Sequence, residues 1–246
     1  MDKRIFGQLI VAIALLTPGN ARAADDDFGL WLGASAEKKL STKWSVGFEG
    51  EYRLRNSLKT SDRWSGAVGF EYKIIDHLKA SANYKLLVNN NRENIKPTKQ
   101  KWTPSYWGVR HRFDVALTGD IDLGRFNVSL RERWQYTYRP SVADKTYDAT
   151  TKTWGEVSGK GRNVLRSRLK VDYNIRKCKV DPFASVELFH GGDGLSKTRY
   201  TLGAGWKISK QHAIDFAYVY QNIKDNDDFD DEPDMHVVSI AYKFKF

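Results

Sequence analysis

Period-two alternation of apolar and polar residues runs through almost the whole chain, and it leaves little room for anything but strands. Between Trp44 and Arg55 one face reads Trp44, Val46, Phe48, Gly50, Tyr52, Leu54, and the other Ser45, Gly47, Glu49, Glu51, Arg53, Arg55. The pattern returns at 63–74, 78–89, 105–118, 123–139, 163–175, 180–190, 198–208, 212–222 and 235–246, and more weakly at 28–37. That makes eleven strand candidates and no helical segment of comparable length.

The connections alternate as well. Short turns fall near 38–43, 75–77, 119–122, 176–179 and 209–211; longer polar loops fall at 56–62, 90–104, 140–162, 191–197 and 223–234. Short turns at one end and long loops at the other is the arrangement of an outer-membrane barrel, whose long loops face outside the cell. The strands exceed the roughly 9–11 residues needed to cross hydrocarbon at a tilt.

A soluble sandwich or lipocalin-like barrel would also alternate, burying the apolar face. Aromatic placement argues for lipid instead. Trp44, Trp206, Tyr72, Tyr242 and Phe244 gather near the short turns, and Trp64, Trp107, Tyr84, Tyr136, Tyr138, Tyr200, Tyr218 and Tyr220 near the long loops. Two girdles match two membrane–water interfaces. The chain finishes Ala241-Tyr242-Lys243-Phe244-Lys245-Phe246, whose one-face aromatics Tyr242, Phe244 and Phe246 resemble the C-terminal signal read by the barrel-assembly machinery.

Export is expected from the first residues. Lys3 and Arg4 precede an apolar run from Ile5 to Leu16, then Pro18, Gly19 and the triplet Ala21-Arg22-Ala23, which together read as a signal peptide cleaved near Ala23. The expected organisation is therefore a signal peptide over 1–23 and one outer-membrane β-barrel over 24–246, located in a Gram-negative outer membrane. Loss of Asp2, Lys3, Arg4 and Arg22 lowers the net charge from +10 to +8. Export removes nucleic acid from the partners of so basic a chain, leaving anionic lipid or an anionic solute. Cys178 has no partner within the chain, so no internal disulfide is expected.

Parity is harder to satisfy. Eleven strands with a periplasmic C-terminus start the first strand outside the cell, so the expected fold is an all-β, up-and-down antiparallel barrel of ten or twelve strands: 28–37 lies outside the wall, or a further strand exists.

The segments Asp27-Phe28-Gly29-Leu30-Trp31, Glu37-Lys38-Lys39-Leu40, Val46-Gly47-Phe48-Glu49-Gly50-Glu51-Tyr52-Arg53, Leu130-Arg131-Glu132-Arg133-Trp134-Gln135-Tyr136 and Leu165-Arg166-Ser167-Arg168-Leu169, in that order, carry a likeness over nearly all of the mature chain. They resemble the exported family catalogued as domain of unknown function 2490, common in Bacteroidetes. The resemblance implies a fold and a location and supplies no catalytic residue.

In a membrane barrel the charged face lines the lumen. The expected lining includes Glu49, Glu51, Arg53, Arg110, Arg112, Arg131, Arg133, Arg166, Arg168, Lys170, Asp172 and Glu187, with cations more than twice as numerous as anions along that face. Two readings follow. The charges interlock as a paired core in a structural or narrowly permeable barrel, or the excess of Arg and Lys makes an anion-favouring pore. A third reading is enzymatic. His111, Glu132 and Ser167 interrupt apolar runs on the outward face of three consecutive strands, and a hairpin centred near residues 120 and 121 sets His111 diagonal to Glu132. Serine, histidine and carboxylate are the parts of a hydrolytic triad, here in a lipid-facing position.

The acidic run 225–234 lacks the glycine and glutamate spacing of a calcium loop and reads as a solvated tip. His77, His190, His212 and His236 are too scattered for a metal cluster. Gly191-Gly192-Asp193-Gly194 leads into a strand and reads as a turn. No cofactor is implied.

Overall fold

The computed structural model describes residues 26–224 and 233–246. The expected signal peptide and most of the acidic run, 225–232, lie outside the described residues. The described elements are β1 (Asp27–Lys39), β2 (Trp44–Arg55), β3 (Thr60–Ile75), β4 (Leu78–Asn91), β5 (Asn94–Lys96), a 3-10 turn (Pro97–Lys99), β6 (Lys101–Thr103), β7 (Tyr106–Leu123), β8 (Phe126–Arg139), β9 (Val142–Asp148), β10 (Thr153–Val157), β11 (Lys160–Tyr173), β12 (Val180–Gly191), β13 (Gly194–Lys207), β14 (His212–Ile223) and β15 (Met235–Lys245). Among them there is no α-helix.

Eleven strands close into one barrel in the order β1-β15-β14-β13-β12-β11-β8-β7-β4-β3-β2. Ten or twelve were expected, and the difference has a simple origin. In an up-and-down sheet every strand reverses the one before, so an odd count leaves the first and last strands running the same way. β1 and β15 accordingly pair in parallel, from Asp27 opposite Met235 to Glu37 opposite Lys245, while every other wall pair is antiparallel. The weak segment 28–37 is thus a full wall strand.

Three connections differ from expectation. The hairpin between β7 and β8 turns at Gly124-Arg125 rather than at 119–122, because Gly119, Ile121 and Leu123 continue the outward face and Gly124 supplies the positive φ of the turn. Two loops expected to be long are tight. Residues 56–59 turn through left-handed Asn56, Ser57 and Leu58, and only Gly192 and Asp193 separate β12 from β13. The two longest loops instead carry β5, β6, β9 and β10, a small four-stranded sheet above the long-loop end. One register row of that sheet is apolar throughout: Ile95 faces Trp102, Trp102 faces Tyr147, and Tyr147 faces Trp154.

The wall is apolar outside and charged inside. On β7, Phe113 and Val115 are 49% and 50% exposed, while Asp114 between them is 4% exposed. Across the outer surface, Leu32, Phe48, Phe70, Phe113, Val115, Leu117, Leu130, Trp134, Leu165, Leu169, Val186 and Leu202 form an exposed apolar band. A water-soluble monomer rarely exposes contiguous apolar patches beyond a few hundred Å², so this band needs lipid against it. Rings pair at its rims. Trp44 meets Tyr72 at 4.7 Å and Phe126 meets Tyr173 at 4.8 Å near the short turns, and Tyr52 meets Trp64 at 4.1 Å toward the long loops.

Candidate functional site

Inward-pointing side chains of the wall enclose a central cavity of ≈ 450 Å³. Of the residues expected in the lumen, Glu49, Glu51, Arg53, Arg112, Arg131, Arg133, Arg166, Arg168, Lys170 and Glu187 line it. Arg110 lies instead in a vestibule of ≈ 430 Å³ under the loop sheet, and Asp172 lines a ≈ 340 Å³ recess toward the short turns. The three spaces follow one another along the barrel. Arg63 lines both the vestibule and the central cavity, and Lys170, Phe183, Asp215 and Lys243 line both the central cavity and the recess.

Charge is unevenly distributed within these walls. Among the described residues, thirteen Arg and Lys line the central cavity against five carboxylates, Glu49, Glu51, Asp114, Glu187 and Asp215. In the vestibule, among the described residues, nine face two, Asp62 and Glu156. Each central carboxylate is engaged. Glu187 takes Arg131 at 2.8 Å, Arg166 at 3.0 Å and Arg199 at 3.5 Å; Asp114 takes Arg133 at 3.3 Å and Asn83 at 2.8 Å. Lys85 reaches Glu49 at 2.5 Å, Arg53 reaches Glu51 at 2.8 Å, and Lys243 pairs with Asp215. Amides and hydroxyls take further guanidiniums: Arg166 donates to Gln135 at 2.9 Å, Arg112 to Thr137 at 3.1 Å and Arg199 to Gln221 at 2.7 Å.

Rings narrow the interior. Trp31 points inward from β1, with the guanidinium of Arg53 3.9 Å and that of Arg199 4.9 Å from its ring centre. It packs in a small apolar cluster with Val219, Met235 and Val237. Reading 28–37 as a wall strand exposes the signal for Trp31, since Phe28, Leu30 and Leu32 take the lipid face and leave it on the other. Phe189 lies 4.5 Å from the guanidinium of Arg166, and Phe183 lies 4.6 Å from the Lys170 ammonium.

The structure does not bring the serine, histidine and carboxylate together. Ser167 and Glu132 are cross-strand partners, and the Ser167 hydroxyl donates to Glu132 at 2.7 Å. His111, however, faces Tyr138 across the hairpin, while Glu132 faces Leu117, six residues further along β7. At about 3.3 Å per residue that is ~20 Å. The hairpin turning at Gly124 rather than near residue 120 is the cause. His111 bonds to the Tyr84 hydroxyl instead, at 2.8 Å, so no triad forms.

Tyr242, Phe244 and Phe246 lie on the outer face of β15's end. His212 bonds to the Tyr242 hydroxyl at 2.6 Å and stacks on Phe244 at 5.0 Å. Among the described residues, no group of three His, Cys, Asp or Glu side chains is placed to hold a metal ion.

The family described as "Protein of unknown function (DUF2490)" matches residues 28–232. No curated protein matches. Among solved structures, the fold is similar to the translocator domain of autotransporter NalP from Neisseria meningitidis. The identity is 12%, the coverage 85% of this chain and 77% of that one, and the TM-score 0.58. It is also similar to LpxR from Salmonella typhimurium, at 13% identity, 89% and 88% coverage and a TM-score of 0.50. Both are outer-membrane barrels, and at these identities the likeness concerns the fold alone.

Proposed function

This chain belongs to the DUF2490 family, and for it we propose a narrow, anion-favouring passage through a Gram-negative outer membrane. The observation that carries this reading is the succession of vestibule, central cavity and recess with shared lining residues, each lined by more cations than carboxylates among the described residues. Arg and Lys surrounding a passage attract anions and repel cations. Its narrowness follows from the strand count. Eleven strands make a barrel little wider than the eight-stranded kind that its own side chains fill, and here the side chains are long arginines and inward rings. The ion pairs at Glu187 and Asp114 hold the constriction in shape.

In the same reading, residues 1–23 are removed on export. The long-loop end with its small sheet faces outside the cell, outer-membrane lipid covers the apolar band, and the assembly machinery reads Tyr242 and Phe244 of β15 with the adjoining Phe246.

The test is conductance of the purified barrel in a planar bilayer, with reversal potentials in a salt gradient. Steady steps whose reversal potential marks anions as the preferred ions, and whose selectivity falls on replacing Arg131 and Arg133 with glutamine, support the proposal. A folded but silent barrel refutes it and leaves a plugged structural protein.

A further inference from the structure

Arginine faces arginine inside the barrel. Across the β8–β11 pair, Arg131 stands directly opposite Arg168, and Arg133 directly opposite Arg166, all four on the inner face. Like charges directly opposite one another on a sheet repel. A barrel that only needed filling would gain by alternating signs at these positions, or by placing serine or leucine there.

The neighbouring carboxylates do not balance the square. Glu187 is shared by Arg131, Arg166 and also Arg199, and Asp114 takes Arg133. Two carboxylates thus serve four guanidiniums, and Arg168 forms no ion pair with either of them. The Nε–H groups of Arg131, Arg166 and Arg168 are shut off from solvent and make no hydrogen bond among the described residues, while that of Arg133 lies 3.3 Å from the Asp114 carboxylate. Buried donors normally find acceptors. Those Nε–H groups are closed to a ligand as they are to water, but the side chains of Arg131, Arg133 and Arg166 remain 15%, 21% and 11% exposed, and an oxyanion in the cavity would offset their charge there.

The square is also held in shape. The Phe189 ring lies 4.5 Å from the Arg166 guanidinium, and Gln135 and Glu187 fix that guanidinium's two terminal nitrogens. Guanidinium forks match phosphate oxygens two at a time. The two arginine pairs are spaced by two residues along their strands, or roughly 7 Å, and the partners of each pair stand about 5 Å apart. One phosphate group meets one pair, and two linked groups meet both.

We propose that Arg131, Arg133, Arg166 and Arg168 form a binding site for a small polyanion bearing two linked phosphate groups. The proposal rests on the lumen being solvent-filled, as in the passage proposed above, and adds a specific ligand class to it.

Calorimetric titration of the purified barrel with pyrophosphate, orthophosphate and chloride tests it. One pyrophosphate per chain is expected, at least about tenfold tighter than orthophosphate, because the second phosphate adds two charge-assisted contacts. Arg168→Gln and Arg133→Gln should each weaken it about tenfold, whereas Arg53→Gln, across the barrel on β2, should change it less than about twofold. Heat-dependent migration in gels checks that each variant is folded. Pyrophosphate binding no tighter than chloride, or an Arg53→Gln loss equal to that of Arg168→Gln, overturns the site and leaves only diffuse lumen charge. Conductance on the same preparation separates the two proposals. A silent barrel that binds pyrophosphate refutes the passage alone, and an anion-conducting barrel indifferent to pyrophosphate refutes the site alone.

Discussion

Glu132 shows how much one residue's neighbours decide. It sits on the lipid face between Leu130 and Trp134, opposite Leu117 on one side and Ser167 on the other. A carboxyl group facing hydrocarbon is costly, and the Ser167 hydroxyl is its hydrogen-bond partner. Ser167→Ala should therefore destabilise the barrel by about 1–3 kcal/mol, and Glu132→Leu should stabilise it by about 1 kcal/mol, since anionic side chains near the midplane cost less than Arg or Lys but still cost. Urea unfolding in lipid vesicles measures both; a Glu132→Leu barrel weaker than the parent would show that the carboxylate holds something other than Ser167. That Glu132, Ser167 and His111 face outward is legible in the alternation of each strand. Which of them meet is not, because it depends on where the β7–β8 chain turns, and a four-residue displacement of that turn exchanges Leu130 for Tyr138 as the partner of His111.

At the scale of elements, the loop sheet is the part no pattern in the sequence announces. β5, β6, β9 and β10 are three to seven residues long and come from two separate loops, too short for alternation to register and stable only against each other. Its β9–β10 turn is held by Asp148, whose carboxylate accepts the backbone N–H of Thr150 at 2.9 Å and of Thr151 at 3.4 Å and faces Lys101 at 3.5 Å. The Thr150 bond above all keeps this carboxyl below its ordinary pKa. A group whose folded pKa is depressed stabilises the fold above its unfolded value and loses that contribution as the pH falls through the folded one. The turn should thus be fully held at neutral pH and loosen from about pH 3.9 downward. Asp148→Asn should loosen it at every pH. Amide-exchange protection of Thr150 and Thr151 reports this; protection that is flat across that range, or equal in the variant, would show that the turn does not depend on the charged carboxylate. The wall strands contrast with this sheet. Eleven strand candidates were legible in the sequence and all eleven stand in the wall, but 28–37 was read only weakly, with its place in the wall left open, and several ends moved by up to five residues in either direction.

The whole molecule is defined by its seam. Eleven wall strands close only if β1 lies parallel to β15, and this can be tested at one pair. Gly33 stands opposite Ala241, and a Cβ on Gly33 would lie 3.6 Å from the Ala241 Cβ, within the separation a disulfide spans. With Cys178→Ser to remove the native thiol, Gly33→Cys with Ala241→Cys should cross-link on oxidation and yield a barrel resistant to heat-dependent unfolding in gels, while Gly33→Cys with Lys245→Cys, four residues out of register, should not. Failure of the in-register pair to cross-link would return the wall to an even strand count. Period-two patterning by itself determined the all-β class, the inward and outward faces, the charged interior and the aromatic rims, because the pleat that sets them is a property of each strand and its immediate neighbours. Closure, parity, hairpin centres and the meeting of Arg131 with Arg168 were decided only by the tertiary structure. They depend on pairing between segments far apart in the chain, where many cross-strand contacts, each worth a fraction of a kcal/mol to about 1 kcal/mol, are summed over a register that no single strand encodes.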